Sequence, residues 1–244
     1  MKNSFQAIGS TALLILATAV GSANGAITTY TPETWDTAGD LNGWTFAVGT
    51  PPNGGASSVD AAAIGGHTAA RISFAAQGFA APEDEKFYAV EGSSSDHFAG
   101  NENYTLSDYG VRFSFYADDY TTPAETLSVF FYSGTSGRTW QYGLSGPAAI
   151  DTWYTYGVPM SWDANWTSAG FGQTEFNADL ADVDQLGIWV ARSSNLGAQS
   201  YGLDDFEVYV PEPGTWAMLA FTLLSLGLTL RRMQAQTAPC RSRT

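Results

Sequence analysis

The side chains of this sequence that are best suited to binding chemistry are aromatic. Trp140 and Tyr142 are two residues apart, so that in a strand they would share one face. Trp162 and Trp166 follow in the loop from Pro159 to Gly172. Flat indole and phenol rings stack on the CH-rich faces of sugars, while nearby polar groups fix the orientation of the sugar. The pattern indicates a glycan-binding surface on Trp140, Trp162 and Trp166, of which Trp162 and Trp166 are expected to be exposed.

Four polar side chains accompany these rings and would orient a sugar: Arg138, Gln141, Asp163 and Asn165. The alternative is that the aromatic residues pack in a core, because Trp and Tyr are common on the inner faces of sandwiches. The sequence leaves both interpretations open.

Catalytic motifs are absent from the sequence. The two histidines, His67 and His97, stand in no HExxH or Cys/His pattern, and there is no Gly-x-Ser-x-Gly, phosphate-loop or dinucleotide motif. Carboxylates are numerous, so a glycosidase pair remains a less favoured alternative. The sequence predicts a protein that is not an enzyme.

The elements that must position these residues are β-strands, because short apolar and aromatic runs recur between turn residues. Residues 111 to 116 alternate with period two, so that Val111, Phe113 and Phe115 face inward, whereas residues 127 to 132 are partly apolar on both faces. A short helix is expected at Ala178–Gln185, capped by Asn177 or Asp179. Strands are expected at Trp44–Val48, Ala70–Phe74, Phe87–Glu91, Gly110–Ala117, Thr126–Tyr132, Thr139–Leu144, Trp153–Pro159, Leu186–Ala191 and Gly202–Val210. The sequence therefore predicts an all-β, jelly-roll-type sandwich over residues 26–209.

Charge narrows the choice of partner. The chain of 244 residues has a net charge of −14, and the expected sandwich alone, with 5 basic and 23 acidic residues, has −18. Such a surface disfavours nucleic acid and anionic lipid, and leaves cations and neutral glycans as partners. Cys240 is the sole cysteine, so the sandwich is expected to hold no disulfide.

Both ends of the expected sandwich carry short motifs. The first runs from Glu33 to Thr45 and places Trp35-Asp36 before a Leu-x-Gly-Trp step, and the second is Tyr201-Gly-Leu-Asp-Asp-Phe-Glu-Val208. Both resemble the opening and closing segments of carbohydrate-binding-module-like jelly rolls. The resemblance implies that the first and last strands are neighbours and that a structural calcium ion lies between them.

Strand parity supports calcium independently. Counting along the last strand places Asp204 on the same face as Phe206 and Val208, and a buried carboxylate needs a partner. Calcium bound by Asp204 and Asp36 would supply that partner. The alternative is that Asp204 accepts hydrogen bonds from backbone N–H groups while Asp36 is solvated.

The two ends of the chain carry targeting signals. Residues 1–25 have the layout of a secretory signal peptide. From Gly214 to Leu230 the chain is uncharged over 17 residues, which as a helix would span about 25 Å, enough for a short membrane crossing. Pro211, Glu212 and Pro213 precede this run, and Arg231 and Arg232 end it. The order closely resembles the PEP-CTERM sorting signal of bacterial envelope proteins, here residues 210–232, followed by a basic cytoplasmic tail at 233–244.

The resemblance to PEP-CTERM proteins implies a route and a place. It implies recognition of Pro211–Pro213 by a membrane-embedded exosortase, removal of the helix, and release at the cell surface, where extracellular polysaccharide is the expected partner. We therefore predict an exported, non-enzymatic structural or adhesive component of a surface matrix or biofilm. The alternative is a lectin-like glycan-binding module, and a glycan-cleaving enzyme is less favoured.

Overall fold

The computed structural model describes residues 32–48, 57–75, 83–90, 92–95, 98–99, 102–105, 108–118, 126–192 and 197–210. Within these ranges the chain forms eleven strands and one helix. The strands are β1 Thr45–Val48, β2 Ser57–Ile64, β3 His67–Phe74, β4 Glu83–Val90, β5 Gly110–Asp118, β6 Thr126–Ser133, β7 Arg138–Leu144, β8 Trp153–Pro159, β9 Trp166–Thr167, β10 Gln185–Arg192 and β11 Gln199–Tyr209, and the helix is α1 Gln173–Leu180.

The strands form two antiparallel sheets that pack face to face. One sheet has six strands in the order β1-β4-β10-β6-β7-β9, and the other has five in the order β2-β3-β11-β5-β8. The prediction of an all-β sandwich is confirmed. The sequence analysis missed β2, which contains three consecutive alanines, and β9, which is only two residues long.

Alternation of side chains decides which residues enter the core. Val111, Phe113 and Phe115 of β5 are buried between the sheets, as their period predicts. On β6, Leu127, Val129 and Phe131 enter the same core, whereas Phe130 faces outward. Phe130 is nevertheless buried, because its ring contacts Trp189 on the neighbouring strand β10 and, across Gly187, Tyr88 on β4.

The resemblance implies that the first and last strands are neighbours, but among the described strands they are not: β1 pairs with β4 in the six-stranded sheet, whereas β11 lies between β3 and β5 in the other sheet. Contact between the start and the end of the sandwich is made instead by Glu33, which precedes β1. The backbone groups of Glu33 and Phe206 exchange two hydrogen bonds, of 2.7 and 3.1 Å. Trp44 packs edge-on against Phe206, with ring centroids 4.8 Å apart, and Trp35 packs against Trp44 at 5.2 Å. The Leu-x-Gly-Trp step therefore serves to close the core over the last strand.

Position 204 does not follow the parity expected from the sequence. The register of β11 against β5 shifts between Asp204 and Glu207, and Asp205 adopts a positive φ of 53°. This bulge adds a residue, so that Leu203 and Phe206 both face the core. Asp204 therefore lies on the outer face of the five-stranded sheet, and the prediction that it points inward with Phe206 is wrong.

The bounds predicted for the helix, Ala178–Gln185, are also wrong, because α1 begins and ends five residues earlier. Helix α1 starts after Gly172, whose backbone N–H donates to the carboxylate of Glu175 at 3.1 Å. It ends at Leu180, because the following residues turn so that Val183 pairs with Glu102 and Gln185 begins β10. Asp179 faces inward from the helix rather than capping it.

Helices long and apolar enough to cross a membrane are not found among the described residues. The signal peptide predicted at 1–25, the sorting signal from Pro211 through Arg232 and the tail at 233–244 lie outside those residues.

Gly187 in β10 provides a test of this sheet arrangement. It lies between Tyr88 of β4 and Phe130 of β6, and a Cβ there would overlap the carbonyl oxygen of Phe87 and lie 2.6 Å from the Cα of Tyr88. We expect Gly187→Ala to lower the free energy of unfolding by about 2 kcal/mol, because backbone cannot move aside cheaply.

Gly143→Ala is the matched control, because a Cβ at that strand position meets nothing within 4 Å. Its unfolding free energy in chemical denaturation should stay within about 0.5 kcal/mol of the wild type. Equal effects of the two substitutions would contradict the packing described for Gly187.

Candidate functional site

The structure divides the three predicted tryptophans between the core and the surface. Trp140 and Trp166 are 0% and 1% exposed, so neither ring presents a face to a ligand. The expectation that Trp166 is exposed is wrong, because its strand β9 pairs with β7 and its indole N–H donates to the carbonyl of Pro159 at 2.9 Å. Trp162 is half-buried and retains access to solvent.

A buried carboxylate attaches helix α1 to the six-stranded sheet. Asp179 is 3% exposed and accepts two hydrogen bonds from the guanidinium of Arg138, at 2.6 and 2.8 Å. It also accepts a hydrogen bond of 2.8 Å from the indole N–H of Trp140. Burial raises the pKa of Asp179, but the hydrogen bonds from Arg138 and Trp140 outweigh it, so that the pKa is lowered overall.

The helix carries an aromatic contact that places Trp162. Phe176 of α1 is fully buried, and its ring lies 5.2 Å from that of Trp140 and 5.4 Å from that of Trp166. Trp162 packs edge-on against the same cluster, 5.9 Å from Trp140 and 5.4 Å from Phe176 between ring centroids. One part of the indole of Trp162 is therefore held by the core while the rest borders the surface.

Trp162 borders a groove of about 380 Å³ between α1 and the loops that precede β5 and follow β8. The apolar part of its lining is Tyr104, Met160 and Leu180, which are all buried. The polar part consists of exposed side chains from three segments of the chain: Thr105, Asp108, Ser161, Gln173 and Asn177. The groove is thus apolar below and polar around its border.

Four of these five polar side chains make no hydrogen bond to the described residues of the fold. Thr105 donates to the side chain of Asn103 at 2.6 Å. Within the described part of the chain, no side-chain hydrogen bond involves Asp108, Ser161, Gln173 or Asn177. A carboxylate, a hydroxyl and two amides beside an indole form a set of donors and acceptors that suits sugar hydroxyls.

The four polar residues predicted to accompany the tryptophans lie elsewhere. Arg138 is held by Asp179, Asp163 accepts from the backbone of Asn165 at 2.6 Å, and Asn165 donates to the Tyr142 hydroxyl at 3.1 Å. Gln141 faces outward from β7. The sequence analysis missed Gln173 and Asn177, although Phe176 and Leu180, spaced by four, are a signal that would have placed α1 correctly.

The two predicted calcium ligands have other partners. Asp204 is 2.8 Å from Nε2 of His67, whose ring stacks on Trp153 at 4.6 Å, and Asp36 accepts from the hydroxyl of Thr34 at 2.9 Å. Burial raises the pKa of Asp204, and His67 counters part of that shift. Among the described residues, no group of three or more acidic, histidine or cysteine side chains has the geometry of a metal site. The inward-facing carboxylate that motivated calcium is not found, and calcium itself stays a prediction.

No protein-family model matches this sequence, and no curated protein matches it either. Solved structures that resemble it include the family 11 carbohydrate-binding module of the cellulase Lic26A-Cel5E of Clostridium thermocellum, with 11% identity and a TM-score of 0.47 over 75% of this chain and 97% of that one. A family 11 module from the same organism, in complex with a β-1,3-1,4-mixed-linked tetrasaccharide, has 13% identity and a TM-score of 0.46 over 72% and 92%.

An agarase, AgWH50C, has 11% identity and a TM-score of 0.48 over 75% of this chain but only 26% of the enzyme. The neighbours thus include carbohydrate-binding modules, the class that the motifs at both ends of the sandwich resemble. At these identities and TM-scores the likeness carries no argument about a ligand, an activity or a site of this chain.

The Asp179 network predicts a stability that depends on pH. The pKa of Asp179 is lowered by folding, so its contribution is present above the unfolded pKa of about 4 and is lost as the pH falls through the folded value. We expect Asp179→Asn to lower the unfolding free energy by about 2 kcal/mol at neutral pH, because the half-buried side chain of Arg138 loses its counter-charge and a charge-assisted hydrogen bond. The difference from wild type should shrink below about pH 4 in denaturant titrations. Asp36→Asn, which removes the same charge at an exposed position, serves as the control, and a difference independent of pH would contradict the assignment.

Proposed function

We propose that this chain is an exported, non-catalytic glycan-binding module whose ligand lies in the Trp162 groove. The observation that supports it is the half-buried indole bordered by Asp108, Ser161, Gln173 and Asn177, which form no side-chain hydrogen bond within the described chain. Solvated polar groups beside an aromatic face can exchange water for sugar hydroxyls at little cost, because they break no internal bond.

The chemistry of the groove favours a neutral glycan. Its described lining contains one carboxylate, Asp108, and no lysine or arginine. An anionic sugar would meet this carboxylate without a compensating cation, within a chain of net charge −14. A neutral sugar avoids this repulsion and offers CH groups to Trp162 and hydroxyls to the amides.

The route to the surface rests on the targeting signals at the two ends of the chain. A signal peptide at 1–25 and the Pro211-Glu212-Pro213 signal, with its apolar run and Arg231-Arg232, support export and recognition by an exosortase, with the membrane as a transient partner. Delivery to an extracellular polysaccharide matrix is the expected destination. A purely structural or adhesive matrix role, without a specific ligand, is the competing function, and the groove favours specific binding over it.

A glycan array with purified residues 26–209 distinguishes these functions. We expect discrete neutral glycans to bind the wild type, and Trp162→Ala to weaken that binding by about 2 kcal/mol, because the stacking surface is lost. Asn177→Ala removes one polar partner from an exposed helical position, so it should weaken binding by about 1 kcal/mol and leave the melting temperature unchanged.

Trp189→Ala is the matched control, because Trp189 is a half-buried tryptophan on the outer face of the six-stranded sheet. It should bind as the wild type does. Uniform weak signals across the array, unaffected by Trp162→Ala, would favour the adhesive role, and release of sugar from a polysaccharide panel would show an enzyme instead.

Intact mass of the protein recovered from the surface of its native host tests the sorting route. We expect a chain that starts near residue 26 and ends near Pro213, because both signals are removed on the way. Replacing Glu212 with Ala should leave the C-terminal segment attached. A full-length mass from wild-type cells would contradict the proposed processing.

A further inference from the structure

A second groove lies beside the turn that leads into α1, at the edge formed by β7 and β9. Its volume is about 550 Å³, and it is lined by Arg138, Thr139, Gln141, Thr167, Ser168 and Phe171. Three of these residues, Thr139, Gln141 and Thr167, lie on the outer face of the β7–β9 edge of the six-stranded sheet. The groove therefore combines one aromatic ring with hydroxyl and amide groups, as the Trp162 groove does.

Phe171 is the aromatic residue of this second groove, and the fold holds it at the surface. The side chain is 44% exposed, and the guanidinium of Arg138 lies 4.8 Å from its ring centroid. The backbone N–H of Phe171 donates to the carbonyl of Ser168 at 3.3 Å, in a turn where Gly170 has a φ of 77°. Because Asp179 fixes Arg138, the ring of Phe171 is supported from one side and accessible from the other.

Three of the five polar side chains of this groove make no hydrogen bond within the described residues, whereas Thr167 donates to the carbonyl of Gln141 at 3.4 Å and Arg138 pairs with Asp179. In the described part of the chain, the side chains of Thr139, Gln141 and Ser168 take part in no hydrogen bond. Arg138 brings no net charge, since its partner Asp179 neutralises it. The groove therefore offers hydroxyl-binding groups like those of the Trp162 groove, but without a carboxylate such as Asp108.

The two grooves are bordered by neighbouring residues of one short segment of the chain. Phe171 lines the second groove and Gln173 lines the first, and two residues along a chain cannot be more than about 7 Å apart. Residues that line the two grooves are therefore close along the chain. An oligosaccharide of several sugars is longer than this distance, so one ligand can reach both Phe171 and Gln173.

We propose that the Phe171 groove is a second subsite, so that the ligand is an extended stretch of a neutral polysaccharide that crosses the start of α1. This inference rests on the proposed function and adds the class of ligand: an internal segment of a chain rather than a single terminal sugar. Trp162 supplies the primary contact, and Phe171 with Gln141 supplies a contact that only a longer oligosaccharide reaches.

Oligosaccharide ladders test the subsite. Neutral glucan and galactan ladders, each from disaccharide to octasaccharide, are titrated calorimetrically into the purified full-length protein. In the wild type, affinity should rise with length and then level off. Phe171→Ala should lose about tenfold for the longest oligosaccharides and should match the wild type for the shortest, because only the longer ones reach Phe171. Trp162→Ala should lose affinity at every length.

Thr174→Ala is the control, because Thr174 is an exposed residue in the first turn of α1, three residues after Phe171, and lines neither groove. Affinity that does not change with length, or a long oligosaccharide that binds Phe171→Ala as tightly as the wild type, would overturn the second subsite and leave the proposed function standing. Failure of the wild type to bind any ladder would overturn both.

Discussion

The buried carboxylate of Asp179 is the interaction on which the candidate site depends. It joins helix α1 to β7 through Arg138 and Trp140, and it is satisfied by three hydrogen bonds in a place where an unpaired charge would be very costly. The helix has one turn on either side of Phe176, too short to be stable by itself. Its position is therefore fixed by this ion pair and by the burial of Phe176 and Leu180.

Fixing the helix also fixes both grooves. Gln173 and Asn177 reach the Trp162 groove only because α1 begins at Gln173, and Phe171 is placed by the turn that leads into the helix. Arg138 contributes both to the position of the helix and to the second groove, because its guanidinium pairs with Asp179 and also lies against the ring of Phe171. One buried charge thus supports side chains that border both grooves.

The sequence predicted the architecture better than the site, for a physical reason. Period-two alternation is a property of a single strand, so the inward faces of β5 and β6 could be predicted from β5 and β6 alone. The burial of Trp140 and Trp166 depends instead on β9, a strand of two residues whose pairing with β7 is set by tertiary contacts. Local patterns do not reveal such a strand, and so Trp166 was expected at the surface.

The predicted orientation of Asp204 was wrong for a related reason. Parity is preserved along a strand only while every residue is paired, and the bulge between Asp204 and Glu207 breaks this rule once. The pair Asp204-Asp205 was visible in the sequence, and aspartate tolerates positive φ better than most residues, so a bulge could have been considered there. What the sequence could not show is His67, a residue more than a hundred positions away that supplies the partner which the carboxylate needed.

The net charge of the chain is strongly negative, whereas its two grooves are lined mainly by uncharged groups, and this difference affects what the molecule can bind. The chain carries 24 acidic and 10 basic residues, and a surface of one sign repels other copies and attracts cations over a range set by ionic strength. The two grooves are lined mainly by hydroxyls, amides and aromatic rings, with the charge of Arg138 already neutralised by Asp179. A neutral glycan in these grooves gains stacking and hydrogen bonds that salt does not screen. The glycan contacts proposed for the two grooves therefore do not depend on the charge that keeps copies of the molecule apart.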